Sequence, residues 1–234
     1  MNIVDKVLNI FYPTRCVFCE TVGEQQICPA CRKEYPYLTE PRCKMCGKPL
    51  RRVEQEYCRD CNGNERAFEC GRNLWLHRGG VSDSLYRFKY QGVKSNGRVY
   101  AEELAAVYEN TLENWEIEQI IPIPLHRRRL AQRGFNQAEV IAVRLGRMLD
   151  LPVNTSSLIR QRHTRPQKVL NDRERWRNIR SAFRVKRSDN LSGNILIVDD
   201  IYTTGSTLNE AAKCLKDAGV RKVFFLTISI GQGI

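Results

Sequence analysis

Between residues 16 and 61 the chain repeats one unit four times: Cys16-x-x-Cys19, Cys28-x-x-Cys31, Cys43-x-x-Cys46 and Cys58-x-x-Cys61. A two-residue gap turns both sulfurs of a knuckle toward one ion, and two knuckles complete the tetrathiolate set that Zn2+ prefers. So short a segment has too little apolar material to build its own core, and structural zinc supplies on the order of 10 kcal/mol in small sites. Disulfides are the rival use of these cysteines. Residues 1–12 carry Asp5 and Lys6 and lack a small-residue cleavage site, so they do not read as a secretion signal, and reduced cytoplasmic thiols favour metal. Spacing leaves two pairings open, sequential (16/19/28/31 with 43/46/58/61) or cross-braced. The short spacer between the first two knuckles favours the sequential one. Tetrathiolate sites have no open coordination position, which makes both sites structural.

A second feature constrains the C-terminal half. Residues 195–198 are four consecutive aliphatics, Asp199 and Asp200 follow, and then come Thr203, Thr204, Gly205, Ser206 and Thr207. The aliphatic run predicts a buried strand that the carboxylates terminate; Leu208, Ala211, Ala212 and Leu215 predict a helix starting at Ser206 or Thr207 and stopped by Gly219. A strand, an acidic edge, a hydroxyl-rich loop and a helix start together place N–H groups around an anion and carboxylates beside it. A sugar phosphate has that combination of groups. Two adjacent carboxylates at a buried strand end are costly unless a ligand uses them.

The rest of the chain alternates the two kinds of element. Strands are expected over residues 67–75, 118–123 and 223–230, and helices over 81–90, 99–112 and from Asn136, a candidate N-cap, through Met148. Alternation of this kind points to an α/β domain with a parallel sheet, whose ligands gather at the carboxyl ends of strands. Ile3, Val4, Val7, Leu8, Ile10 and Phe11 have helical spacing up to Pro13 and predict a short packing helix. The expected organisation is therefore an N-terminal helix (1–13), a double zinc ribbon (14–65) and an α/β domain (66–234). No apolar run reaches the roughly 20 residues of a membrane span.

The formal charge of +12 suits a polyanion partner. Two tetrathiolate zinc sites would lower it to about +8. The positive charge concentrates at Arg127, Arg128, Arg129 and Arg133, and in residues 160–187, where eleven Lys/Arg face Asp172 and Glu174. The polar stretch 158–185 reads as a long connection without structure of its own. The ribbon, with nine Lys/Arg and seven Asp/Glu over residues 14–62, reads as a scaffold or docking module.

Residues 195–207 match the phosphoribosyl-pyrophosphate (PRPP) signature of type I phosphoribosyltransferases. With the four knuckles, the stretch 85–90, Ile121-Pro122-Ile123-Pro124-Leu125, Arg133-Gly134-Phe135-Asn136-Gln137, and residues 162–167 with Arg173 and Asn178, the chain resembles the ComF family over nearly its whole length. The resemblance implies a zinc ribbon fused to a phosphoribosyltransferase-like domain, a cytoplasmic role in natural transformation through handling of single-stranded DNA, and competence proteins as partners through the ribbon. It implies PRPP with Mg2+ at Asp199, Asp200 and Thr203, Thr204, Gly205, Ser206 and Thr207. It also implies a pyrophosphate-side loop over 123–129, with Arg127 and Arg128 on the pyrophosphate, and a mobile or nucleic-acid loop with Arg162, Arg165, Gln167, Lys168, Arg173, Arg175, Trp176 and Arg177. Purine-salvage members of the superfamily carry an acidic base where this chain has Thr203. Met1-Asn2 offers no N-terminal cysteine for glutamine amidotransfer. Two functions stay open: phosphoribosyl transfer to an unidentified acceptor, or nucleic-acid handling by a domain that keeps the ligand site.

Overall fold

The computed structural model describes residues 13–161, 181–186 and 191–231. The expected N-terminal helix and all eight named positions between Arg162 and Arg177 lie outside them. The central sheet contains β1 (Cys70–Leu76), β2 (Gln119–Pro122), β5 (Asn194–Tyr202) and β6 (Lys222–Ile230), in the order β1-β6-β5-β2 with every pairing parallel. The two longest strands are thus innermost, buried on both faces as their unbroken apolar runs require.

Side chains alternate across the sheet. Leu196, Val198, Leu226 and Ile228 pack on one face with α2 (Gly79–Tyr90), α3 (Asn96–Asn114), α5 (Gln137–Met148) and, through Cys16 and Cys31, the first cysteine tetrad, whose Cys31 lies on α1 (Pro29–Glu34). Ile195, Ile197, Val223 and Phe225 pack on the other with α6 (Ser206–Asp217) and the second tetrad. The ribbons therefore share both cores of the α/β unit. Gly71 of β1 is required by this packing, because a Cβ there would fall 2.3 Å from the Phe225 ring.

Asn136 caps α5 as expected: its Oδ1 accepts from Ala138 N–H at 3.2 Å, and its Nδ2 donates to Ile123 O at 3.1 Å. Three expectations need correction. The strand at residues 195–198 does not stop at the carboxylates; β5 continues to Tyr202 because β6 stays paired with it through Tyr202↔Ile230. The stretch 123–129 is a loop only to His126. From there α4 (Arg127–Arg133) forms, opened by His126 Nδ1 accepting from Arg128 N–H at 3.3 Å and closed by Gly134 at φ 75°. The ends of the polar connection also pair, β3 (Leu158–Arg160) running antiparallel to β4 (Phe183–Val185). No helix among the described residues is long and apolar enough to cross a membrane.

Candidate functional site

The site forms where β2 ends and β5 does not. Pro122 pairs with Val198, Ile123 N–H reaches Val198 O at 2.9 Å, and Pro124 then prevents further ladder hydrogen bonds. Asp199 and Asp200 lie just beyond, on a strand supported by β6 alone. After Tyr202 the chain turns through Thr203 and Thr204 to Gly205, whose φ of 75° is left-handed. A Cβ at Gly205 would sit 2.3 Å from the Tyr202 hydroxyl, which itself has no hydrogen-bond partner among the described residues. Thr204 Oγ1 donates to Ser206 Oγ at 3.2 Å, and both residues are buried. The N-cap of α6 is Gly205, which offers no side-chain cap, and the positive end of the helix dipole lies at this turn.

Asp200 N–H donates to Asp199 Oδ1 at 2.8 Å. Burial, and then the Asp200 charge, push the Asp199 carboxyl up to about 7, while the Asp200 N–H, Lys89 and Arg160 restrain it. Asp200 Oδ2 lies 2.8 Å from Lys89 Nζ, with 12% and 14% of the two side chains exposed. Sequence reasoning missed Lys89 as a site residue. Its signal was its position: it follows Leu85 by four residues, on the buried stripe of α2 with Val81 and Phe88, where an unpaired lysine is not tolerated.

Arg160, at the end of β3, was missed as a separate site residue. Burial, and then the positive charges of Arg129 and Arg133, pull it down to about 10 against the attraction of Asp199; its guanidinium lies 5.4 Å from the Phe183 ring centre. Burial, and then Arg133, also lower Arg129. Arg133 donates to Gln137 Oε1 at 2.9 Å and to Tyr90 Oη at 3.1 Å. Cations from α2, α4 and β3 thus collect around two carboxylates, an arrangement able to hold a molecule with both hydroxyls and phosphates. Arg127 and Arg128 are exposed and line an open cleft with His126 and Ala131.

The cysteines form two tetrads, Cys16/Cys19/Cys28/Cys31 and Cys43/Cys46/Cys58/Cys61, each with its sulfurs within 4.8 Å of one another. This is the sequential pairing. A tetrahedron with zinc–sulfur bonds near 2.3 Å separates its sulfurs by roughly 3.8 Å. Cys19 and Cys28 Sγ are 3.7 Å apart and Cys46 and Cys58 Sγ 3.5 Å, so both tetrads fit zinc. They differ in access: the second is wholly buried, whereas Cys19 is exposed. Asn73 Nδ2 of β1 donates to Cys46 O at 2.7 Å and fixes the second knuckle set. Arg87 of α2 donates to Val17 O at 2.8 Å and Phe18 O at 2.9 Å, inside the first knuckle.

Known proteins place this combination. A family model described as "Double zinc ribbon domain" matches residues 7–62. "Competence protein F" of Haemophilus influenzae is 30% identical over 221 residues, covering 91% of this chain and 95% of the relative. "DNA utilization protein YhgH" of Escherichia coli K12 is 37% identical over 107 residues, 45% of this chain and 46% of the relative. Among solved structures the chain is similar to orotate phosphoribosyltransferase from Aeropyrum pernix, at 17% identity over 62% of this chain and 64% of that one, with a TM-score of 0.38. A double zinc ribbon carried on a parallel α/β domain is the class these features define. The chain belongs to the competence protein F (ComF) family.

Proposed function

We propose that this chain binds PRPP with Mg2+ at residues 199–207 and handles single-stranded DNA in natural transformation. The observation that carries the reading is the meeting of Asp199 and Asp200 with an uncapped helix start at Gly205 and with Lys89, Arg129, Arg133 and Arg160. In it, the ribose hydroxyls donate to the carboxylates. The 5′-phosphate takes the N–H groups and hydroxyls of residues 203–207. The pyrophosphate meets the cations of α4, and Mg2+ supplies further charge neutralisation. Thr203 offers no carboxylate where purine-salvage relatives keep a base, and the reading assigns residues 199–207 the holding and orienting of the ligand. The name of the Haemophilus relative supports the competence role and that of the Escherichia relative supports the DNA partner; a cytoplasmic site of action follows from the same reading.

Calorimetric titration of PRPP with and without Mg2+ tests the ligand. Wild type should bind with Mg2+, and Asp199→Asn/Asp200→Asn should weaken binding by about 10- to 100-fold, the loss of one or two charge-assisted hydrogen bonds. Absence of binding in wild type, or equal affinity in the variant, contradicts the reading.

A further inference from the structure

Outside the carboxylate site, one exposed face of the described residues combines aromatic surface with unneutralised positive charge. Tyr86 and Tyr90 lie one turn apart on α2, each 51% exposed, with ring centres 4.9 Å apart and planes 43° from parallel. Leu130 of α4, 42% exposed, adds apolar surface from the helix that supplies Arg133. The Arg133 guanidinium lies 4.8 Å from the Tyr90 ring centre, and its bond to Gln137 holds it there. Among the described residues neither Arg127 nor Arg128 has a carboxylate at ion-pair distance. Two neighbouring tyrosines, one of them held by Arg133 of a seven-residue helix with four arginines, thus present aromatic surface to water.

We infer that this face, Tyr86 and Tyr90 with Arg127, Arg128 and Arg133, is the single-stranded DNA surface, bases stacking on the tyrosines and phosphates running along α4. The inference rests on the DNA reading above and locates it. Charge complementarity selects a polyanion, since the chain carries +12. The aromatic faces select unpaired bases, because duplex bases are already stacked on each other, and stacking is tolerant of sequence. The face is continuous with the ligand site. Lys89, between the two tyrosines in sequence, reaches Asp200, and Arg129 on the same helix as Arg127 and Arg128 lies near Arg160.

The test is fluorescence anisotropy of a labelled oligo-dT with the zinc-loaded full chain, at several salt concentrations. Tyr86→Ala/Tyr90→Ala should weaken binding by about 10- to 100-fold, and Tyr86→Phe/Tyr90→Phe should retain it, because the ring and not the hydroxyl stacks. Arg127→Glu/Arg128→Glu should lower the slope of log affinity against log salt by roughly 0.7 for each phosphate that is no longer neutralised. Zinc content and circular dichroism verify that each variant is folded. No binding of oligo-dT by wild type contradicts the DNA reading itself. Wild-type binding with an unchanged Tyr→Ala double variant leaves that reading standing and overturns this surface, as does equal loss in the Phe variant.

Discussion

Asp199 and Gly205 carry the costs that a ligand would offset. A carboxyl moved from its ordinary 3.8 to about 7 is still neutral in the folded chain while the unfolded chain is already ionised between those values. Stability therefore falls as pH rises through that window. Replacing Asp199 by Asn removes the cost: the ligand-free protein should be stabilised by about 1–2 kcal/mol near pH 7.5, after discounting for the solvent that reaches this carboxyl, and by nothing near pH 4. Urea denaturation at both pH values reads this, and a variant destabilised at pH 7.5 contradicts it. Gly205→Ala acts in the opposite direction. Its φ of 75° and the 2.3 Å approach of the Tyr202 hydroxyl leave no room for a methyl, so it should cost about 1–3 kcal/mol in the same experiment. The role of Gly205 was legible in the sequence, as the small residue between a strand and a helix. Lys89 and Arg160 were not, because their roles depend on which strand and helix are brought beside Asp199 and Asp200, and that is a property of the sheet order.

At the scale of elements, what could be read was what has a period. The aliphatic run of β5, the helix after Gly205, and α5 with its Asn136 cap each write their structure into local spacing. Helix α4 does not: it has no buried residue, so no apolar stripe marks it, and only its His126 cap and the left-handed Gly134 fix its ends. Strands β3 and β4 were hidden because each is three residues long and each finds its partner only across the intervening connection. The last residues of β5 were misread because Asp199-Asp200 looks like a strand end, although β6 continues beside it. Helix α2 joins two functions, holding the first knuckle through Arg87 and Asp200 through Lys89. Arg87→Ala should weaken zinc at the first tetrad by on the order of 10-fold, as loss of an outer-shell anchor does elsewhere. Titration with a metallochromic chelator should then show one zinc released early and one unchanged; release of both together would argue against this role of Arg87.

At the scale of the whole molecule, the two cysteine tetrads join the ribbon segment to the two faces of the sheet. All the knuckle cysteines but Cys19 sit in or against the same apolar clusters as the two faces of the sheet, so the boundary we propose near residue 65 separates two functions that share packing. Metal analysis should find two zinc ions per chain, and the exposed Cys19 should make the first the earlier to leave under mild chelation. Complete removal should lower the melting temperature of the α/β domain too, in a single transition, because the cores are joined; an unshifted α/β transition would show that the ribbons are accessory. The central claim concerns residues 199–207. Its most direct test is a crystal structure of the zinc-loaded chain grown with PRPP and Mg2+. The account predicts the 5′-phosphate against residues 203–207 and the ribose hydroxyls on Asp199 and Asp200. A phosphate bound only in the cleft of Arg127 and Arg128, with Asp200 still closed on Lys89, would contradict it.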